Sequence, residues 1–179
     1  MIHKNWVENL LTWADAHMIE IPQSEKALLN LTELCLSNNL SCRFPKEIGN
    51  LTKLRELHLE YNQLRELPEE IGRLVRLEEI NLGGNQLRKL PKELWNLTGL
   101  LVLDLGDNQL RGLSEEIRNL TQLRELDLSH NQLNELPKEI GSLKELTWLN
   151  LKENPNLILT QEEEEWITQL KKNGYRVIL

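Results

Sequence analysis

Residues 54–76 read LRELHLEYNQLRELPEEIGRLVR, and the same spacing of leucines recurs along the chain at a fixed step of 23 residues. Each recurring segment begins Leu-x-x-(Leu/Ile)-x-Leu-x-x-Asn, and the first five continue to a second apolar cluster of the form Leu-Pro-x-x-Ile-Gly-x-Leu. A fixed period of this length indicates one repeated supersecondary unit that buries its apolar face against its neighbours. The six segments begin at Leu31, Leu54, Leu77, Leu100, Leu123 and Leu146.

The first half of each repeat is predicted to form a short strand, because its leucines alternate with polar residues. Successive strands must run parallel, since every turn of a solenoid returns the chain in the same direction. The repeats therefore predict a parallel sheet with one buried and one exposed face. In the second repeat, Leu57 and Leu59 point to one face, and the residues that point to the other are Glu56, His58 and Glu60.

An asparagine closes each strand, where the chain turns inward and buried backbone groups need partners. Its side chain both donates and accepts hydrogen bonds, so a stacked row of asparagines can serve successive turns. The Leu-Pro half is expected to return along the outer side as a short helix or helical turn, with Pro68, Pro91 and Pro137 in the first helical turn. The asparagines of the row are Asn39, Asn62, Asn85, Asn108, Asn131 and Asn154.

Both ends of the chain depart from the repeat. Residues 5–17 show the pattern of an amphipathic helix. Thr160 is a favourable N-cap for a second helix over about residues 161–172, and residues 175–179 are expected to add a last strand beside the sixth repeat. We expect a single domain, with an N-terminal cap and degenerate repeat over 1–30, six repeats over 31–159 and a C-terminal cap over 160–179.

The chain is acidic, with a net charge of −7 and a pI of about 5.2. Nucleic acid and anionic membranes both require a positive footprint, so neither is an expected partner. The two cysteines give no disulfide framework, and no stretch reaches the length of a membrane span, about 20 apolar residues. We therefore expect a cytoplasmic monomer, with secretion by a route that needs no signal peptide as the alternative.

The 23-residue pattern resembles the typical class of the leucine-rich repeat family, and it is closest to the intracellular repeats of bacterial and Ras-associated proteins. The resemblance covers about residues 31–159. It implies an α/β fold, a right-handed solenoid with a parallel sheet on its concave face, which in this family usually binds proteins. The departures from the pattern are Ser41 in place of leucine in repeat 1, Leu94-Trp95 in place of Ile-Gly in repeat 3, and Ser114 in place of proline and Arg118 in place of glycine in repeat 4. Trp95 and Arg118 indicate either local repacking or a second contact patch on the convex side.

The third, fifth, seventh and eighth positions of each repeat are expected to face the concave side, where adjacent strands lie about 4.8 Å apart. Side chains at one position then form a ladder of close neighbours across the sheet. Carboxylates dominate these ladders, so the sequence predicts an acidic face that attracts a basic protein segment. The candidate partner-binding residues are Glu33, Glu56, His58, Glu60, Tyr61, Glu79, Asn81, Asp104, Asp107, Asp127, His130 and Trp148.

Two further features of this face each allow two explanations. Gly83, Gly84 and Gly106 leave its middle without side chains, which indicates either room for an incoming group or drift at exposed positions. Trp148 is either a binding hot spot or a residue packed against aromatic residues of the C-terminal cap.

The sequence contains no motif for catalysis, for a metal or for a cofactor. No Cys-x-x-Cys or His-Glu-x-x-His spacing indicates zinc, and neither a phosphate loop nor Gly-x-Ser-x-Gly is present. Asp104 and Asp127 are interpreted as solvated charge rather than a weak cation site, and acidic neighbours disfavour a reactive Cys35 thiolate. We therefore predict a non-enzymatic protein-binding module. The alternatives are a secreted bacterial effector or adhesin, the substrate-recognition part of an enzyme, and a binder of carbohydrate or another small ligand.

Overall fold

The computed structural model describes residues 5–38 and 44–179, so the predicted turn asparagine Asn39 and the departure from the pattern at Ser41 lie outside the described residues. In the described part of the chain, seven parallel strands form one sheet, and their order in the sheet is their order in the sequence. The strands are β1 Glu33–Cys35, β2 Glu56–His58, β3 Glu79–Asn81, β4 Val102–Asp104, β5 Glu125–Asp127, β6 Trp148–Asn150 and β7 Arg176–Ile178.

The register of the sheet equals the sequence period. Glu33 on β1 pairs with Glu56 on β2, which in turn pairs with Glu79 on β3, so each step along the sheet advances by one repeat. The same register continues to β6, and β7 then pairs with β6 through Arg176 and Trp148. The predicted parallel solenoid is confirmed, and equivalent positions of neighbouring repeats lie side by side.

Five short 3-10 helices form the outer side of the solenoid within the described ranges. The placement of Pro68 in the first helical turn is wrong by one position. Pro68 has φ −68° and ψ 147°, so its backbone is extended and it precedes the helix, while its carbonyl accepts the N–H of Ile71 at 3.1 Å. Pro91 and Pro137 behave in the same way. The helices are Lys46–Asn50, Glu69–Arg73, Lys92–Asn96, Glu115–Asn119 and Lys138–Ser142.

The core lies between the sheet and the 3-10 helices and is filled mainly by leucine and isoleucine. Leu57, Leu59 and Ile71 are fully buried, whereas Glu56 on the same strand as Leu57 is exposed. Burial of a leucine or isoleucine side chain stabilises a fold by about 1.5–3 kcal/mol. Because these side chains pack between repeats, a repeat is stable only when it is stacked on its neighbours.

The predicted row of asparagines is confirmed for the described repeats. Asn85 Nδ2 donates to the carbonyl of Leu59 in the preceding repeat at 2.9 Å, and its Oδ1 accepts the N–H of Leu64 at 3.0 Å. Both contacts recur in the three repeats that follow. Their asparagines, which are also buried, are Asn108, Asn131 and Asn154.

The N-terminal end contains two helices, α1 Asn5–Ala16 and α2 Glu25–Leu28. Helix α1 lies where the amphipathic pattern predicted it, and it packs beside the first 3-10 helix with Leu10 and Ala14 in the core. Helix α2 follows the N-cap Ser24 and occupies the outer half of the degenerate repeat. That these helices protect the end of the sheet remains a prediction.

The C-terminal end is formed by α3 Gln161–Lys172 and β7. Thr160 caps α3 in a capping box with Glu163, and β7 extends the sheet beyond the sixth repeat. Both elements lie where the sequence predicted them. None of the helices in residues 5–38 and 44–179 is long and apolar enough to cross a membrane.

Trp95 does not contribute to a contact patch on the convex side. The exposed fraction of Trp95 is 1 %, so its indole belongs to the core, and the explanation by local repacking is confirmed. At the equivalent position one repeat earlier, a Cβ on Gly72 would lie 2.5 Å from the carbonyl oxygen of Glu93, so these outer helices approach closely. The helix that carries Trp95, Lys92–Asn96, packs less extensively on the following outer helix, Glu115–Asn119, than on the preceding one. Arg118 is exposed.

Candidate binding face

The twelve predicted partner-binding residues lie on β1 to β6 or in the turns directly after these strands. On β1 to β3 the third position forms a continuous row of carboxylates, Glu33, Glu56 and Glu79. Val102 interrupts the row on β4, and Glu125 resumes it on β5. We call the exposed side of β1 to β6, together with the turns that follow each strand, the acidic face.

Side chains at the fifth position of the repeat also bond the backbone, which alternation along the strands does not predict. Asp127 Oδ1 accepts two hydrogen bonds from Ser129, one from the backbone N–H at 2.7 Å and one from the hydroxyl at 2.6 Å. Asp104 Oδ1 accepts a hydrogen bond from the backbone N–H of Gly106 at 2.8 Å. Asn81 Oδ1 does the same for the N–H of Gly83, at 3.1 Å. These side chains close the strand ends as Asx turns. They are therefore part of the fold as well as of the surface.

The acidic face brings like charges close together. Burial raises the pKa of the Asp104 carboxyl, against the lowering effect of the hydrogen bond from Gly106, and the charges of Asp127, Glu60 and Asp107 raise it further. This direction is expected for a carboxylate that loses water and faces other carboxylates.

Cationic side chains do not neutralise this face in the part of the chain that the structure describes. Among the described residues, no lysine or arginine nitrogen lies within ion-pair distance of a carboxylate of the acidic face. Arg55, which precedes Glu56 in the sequence, pairs instead with Glu78 beside it. His58 lies between two carboxylates, with Nε2 3.7 Å from Glu56 and Nδ1 3.9 Å from Glu79.

Glu60 provides the least satisfied group of the face. Its Oε2 is buried and has no hydrogen-bond partner among the described residues. No other buried side-chain nitrogen or oxygen of those residues lacks one. A buried carboxylate oxygen without a partner costs free energy, so a cation or donor that reached it would be favoured.

The turns after the strands have a left-handed backbone at the eighth position of each described repeat. The φ values include +55° at Tyr61, +50° at Asp107 and +50° at His130. Gly84, with φ +67°, occupies the same position, and glycine adopts this conformation without the strain that a side chain brings. The left-handed backbone therefore explains why glycine stands at position 84, an explanation different from the two that the sequence suggested.

The glycines of the face do not form an open floor. A Cβ on Gly84 would lie 2.6 Å from Cδ1 of Tyr61, whose ring covers this position. A Cβ on Gly83 or on Gly106 would lie 3.2 Å from a carboxylate oxygen of Asp104. The space above these glycines is therefore taken by neighbouring side chains, and the expectation of room for an incoming group is not supported there.

Trp148 is half-buried on β6, between Glu125 of β5 and Arg176 of β7 in the register of the sheet. Its neighbour from the C-terminal end is thus the strand residue Arg176. Trp166 of α3 packs over Gly141 of the fifth 3-10 helix instead. Trp148 therefore presents part of its ring to solvent at the end of the acidic face, next to charged residues.

Cys35 is exposed on β1, and its thiol donates to Glu33 Oε1 at 3.1 Å. Burial, the hydrogen bond to Glu33, and the charges of Glu33, Glu60 and Glu56 raise the pKa of Cys35 to about 11. Acidic neighbours were predicted to disfavour a reactive thiolate, and the raised pKa agrees with that prediction. Cys35 was not among the predicted partner-binding residues, although it pairs directly with His58 in the register of the sheet.

Comparison with solved structures shows several similar solenoids. A leucine-rich repeat protein of Leptospira interrogans is 39% identical with a TM-score of 0.65, and the match covers 72% of this chain and 36% of that one. The ectodomain of the Arabidopsis thaliana receptor kinase GASSHO1/SCHENGEN3, in complex with CASPARIAN STRIP INTEGRITY FACTOR 2, is 36% identical with a TM-score of 0.65 over 74% of this chain and 16% of the receptor.

A third similar structure is the Arabidopsis receptor kinase HAESA in complex with the peptide hormone IDA and the co-receptor SERK1. It is 31% identical with a TM-score of 0.64, over 73% of this chain and 22% of that one. In these three comparisons the chain thus spans about a third or less of the other protein. No curated protein sequence matches the chain significantly.

The sequence profile described as "Leucine rich repeat" matches residues 52–110, 75–133 and 103–155. Together these overlapping matches cover more than half of the 179 residues. They coincide with the parallel strands, the buried asparagines and the outer 3-10 helices of the solenoid. The chain belongs to the leucine-rich repeat family.

Proposed function

We propose that the protein binds a lysine- or arginine-rich segment of another protein along the acidic face. In this proposal the chain is a non-catalytic scaffold. The sheet holds the ladders of carboxylates at fixed spacing, and Tyr61, His130 and Trp148 supply contacts of larger area beside them.

The observation that carries this proposal is the lack of cationic partners for the carboxylates of the face in the described part of the chain. Neighbouring carboxylates repel each other: burial is the main cause that raises the pKa of Asp104, and the charges of Asp127, Glu60 and Asp107 raise it further. A basic segment would remove this repulsion and would also be attracted over long distances, which raises the association rate.

The similar structures support a peptide or protein as the ligand. HAESA holds a peptide hormone, so a solenoid of this family can bind a peptide. A carbohydrate or other small ligand is less favoured, because Tyr61 and Asp104 cover the glycines that suggested a pocket. The alternative of a secreted bacterial effector or adhesin would use the same face and differ only in where the protein acts.

The test is binding of a short fluorescent peptide of lysine and arginine, followed by anisotropy at low and high salt. The variant Glu56→Lys, Glu79→Lys, Glu125→Lys should weaken binding by at least about tenfold, because it reverses charge on the strands. Asp104 and Asp127 are left unchanged, since their side chains bond the backbone. Added salt should also weaken binding by the original chain.

The matched control reverses three exposed carboxylates outside the acidic face, namely Glu69, Glu115 and Glu135. It changes the net charge by the same amount and should bind the peptide nearly as well as the original chain. The same pair of variants then serves in affinity capture from native lysate. Equal peptide binding by both variants would overturn the proposal.

A further inference from the structure

Three different kinds of metal ligand meet at the N-terminal end of the acidic face. Glu33 and Cys35 point to the same side of β1, and His58 on β2 is the direct neighbour of Cys35 in the register. A carboxylate oxygen of Glu33, the sulfur of Cys35 and a ring nitrogen of His58 all lie within 4.8 Å of one another. The cluster thus joins two repeats through side chains that no motif within one repeat would reveal.

The spacing of these atoms is close to that of a tetrahedral metal site. Zinc bonds of about 2.0–2.3 Å place the ligand atoms of a tetrahedron about 3.3–3.8 Å apart. Cys35 Sγ and Glu33 Oε1 are already 3.1 Å apart, and no ligand pair exceeds 4.8 Å. Small side-chain rotations would therefore bring the three atoms around one ion, without movement of the strands.

The surroundings of His58 suit a metal ligand. Its side chain is 20% exposed, and each ring nitrogen has a carboxylate close by, from Glu56 on one side and Glu79 on the other. When one nitrogen of a histidine binds a metal, the other commonly donates its proton to a carboxylate, which orients the ring. Either nitrogen of His58 has such a carboxylate within 4.0 Å.

The charge of the neighbourhood also favours a cation. Glu60 follows His58 by two residues, its charge acts on the Cys35 thiol, and its buried Oε2 has no partner among the described residues. This unsatisfied oxygen is a separate observation from the ligand geometry. Among the described residues, no lysine or arginine pairs with Glu33, Glu56 or Glu60, so the negative charge of these residues is not offset by an ion pair.

We propose that Glu33, Cys35 and His58 bind one zinc ion, with the fourth coordination position open toward the exposed side of the sheet. The mixture of sulfur, nitrogen and oxygen selects zinc or a similar transition metal over calcium and magnesium, which prefer oxygen ligands alone. The thiol proton that Cys35 now donates to Glu33 leaves to solvent when the sulfur binds the metal. The Zn²⁺–thiolate bond replaces the S–H bond, with no change of oxidation state.

The experiment titrates the metal-free chain with Zn²⁺ by calorimetry and, separately, with Co²⁺ by absorption. We expect one equivalent of zinc and a near-ultraviolet band from Co²⁺ bound to thiolate. Cys35→Ser and His58→Asn should each weaken zinc binding by more than about 100-fold, because each removes a ligand. One of Glu56→Gln and Glu79→Gln should weaken it by about 10–100-fold, namely the variant that removes the carboxylate beside the His58 nitrogen that does not bind the metal. Cys35→Ser should abolish the Co²⁺ band, and Cys42→Ser should leave it unchanged.

The matched control is Glu125→Gln with His130→Asn, which changes the same residue types at the other end of the face. It should bind zinc like the original chain. No binding of one equivalent, or zinc binding that survives both Cys35→Ser and His58→Asn, would overturn the inference. Because no partner is present in the titration, a chain that binds zinc but no basic peptide keeps this inference and overturns only the proposed function.

Discussion

Asn108 accepts at its Oδ1 a hydrogen bond of 3.0 Å from the backbone N–H of Leu87, which belongs to the preceding repeat. Its Nδ2 donates to three carbonyls, those of Leu82 at 2.9 Å, Gly106 at 3.0 Å and Leu105 at 3.2 Å. One buried side chain thus serves four backbone groups in two repeats. Hydrophobic packing is non-directional, whereas these hydrogen bonds specify how far one repeat is shifted against the next.

Replacing Asn108 should therefore destabilise the chain strongly. Asn108→Ala leaves the buried N–H of Leu87 without a partner, and each such group costs about 1–3 kcal/mol. We expect a loss of at least about 2 kcal/mol in the free energy of unfolding, measured by urea denaturation. Asn96→Ala, at an exposed asparagine on the outer side, is the control and should change stability by less than about 0.5 kcal/mol. Equal effects would contradict the structural role of the row.

Gly72 and Gly141 occupy equivalent positions in two repeats but should respond differently to the same substitution. A Cβ on Gly72 would lie 2.5 Å from the carbonyl oxygen and 2.7 Å from Cβ of Glu93, whereas one on Gly141 would lie 4.0 Å from the ring of Trp166. We expect Gly72→Ala to cost about 1–3 kcal/mol by overpacking and Gly141→Ala to be close to neutral. The comparison is made by thermal unfolding. A similar drop in both variants would mean that the glycines are needed for another reason.

The charge of Asp104 is expected to lower stability at neutral pH. Its folded pKa is raised, so the folded state holds the proton more tightly than the unfolded state does. The cost is absent below the unfolded pKa of about 3.9, grows as the pH rises and is complete above the folded pKa. Asp104→Asn keeps the hydrogen bond to Gly106, since Asn81 makes the equivalent bond to Gly83. This variant should therefore unfold at a higher temperature at pH 7.

The control for Asp104→Asn is the same comparison in acid. Near pH 3 the two chains should have nearly equal melting temperatures, because the carboxyl is then protonated in the original chain. A stabilisation of the same size at both pH values would show that charge is not its cause. A loss of stability at pH 7 would contradict the prediction altogether.

The Cys35 thiol should react slowly with disulfide reagents at pH 8, because its pKa of about 11 leaves little thiolate. The rate should rise about tenfold per pH unit up to that pKa. Glu33→Gln removes one of the charges that raise the pKa and should speed the reaction at pH 8. The assay uses a Cys42→Ser background, with Glu125→Gln as the control. If Glu33→Gln reacts no faster than this control, the assigned cause is wrong.

The fold was predictable because its determinants recur at one spacing. Leu57, Asn62 and Ile71 belong to a leucine strand, a buried turn and an outer helix, and each has an equivalent residue 23 positions later. Trp95 broke the pattern, and the sequence could not decide between a core and a surface position. The answer depends on how far apart the outer helices lie, which is a property of two repeats together.

The acidic face was predictable in composition but not in detail. Alternation along the strands correctly placed Glu56 on the exposed side. It could not show that Asp127 bonds the backbone of Ser129, or that Gly84 sits at a left-handed turn. Both facts concern local backbone geometry, which residue spacing does not record. The approach of Cys35 to His58 depends on side-chain conformations across two strands, which the period alone does not specify.

The asparagine row has a consequence for the length of the molecule. Asn108 bonds the carbonyl of Leu82, and Asn85 bonds that of Leu59 in the same way. If residues 77–99 were deleted, Asn108 could donate to the carbonyl of Leu59, which Asn85 bonds now, in place of the deleted carbonyl of Leu82. The hydrogen bonds of the asparagine row would then be restored at the new junction, so the row allows chains of this architecture to change size by whole units.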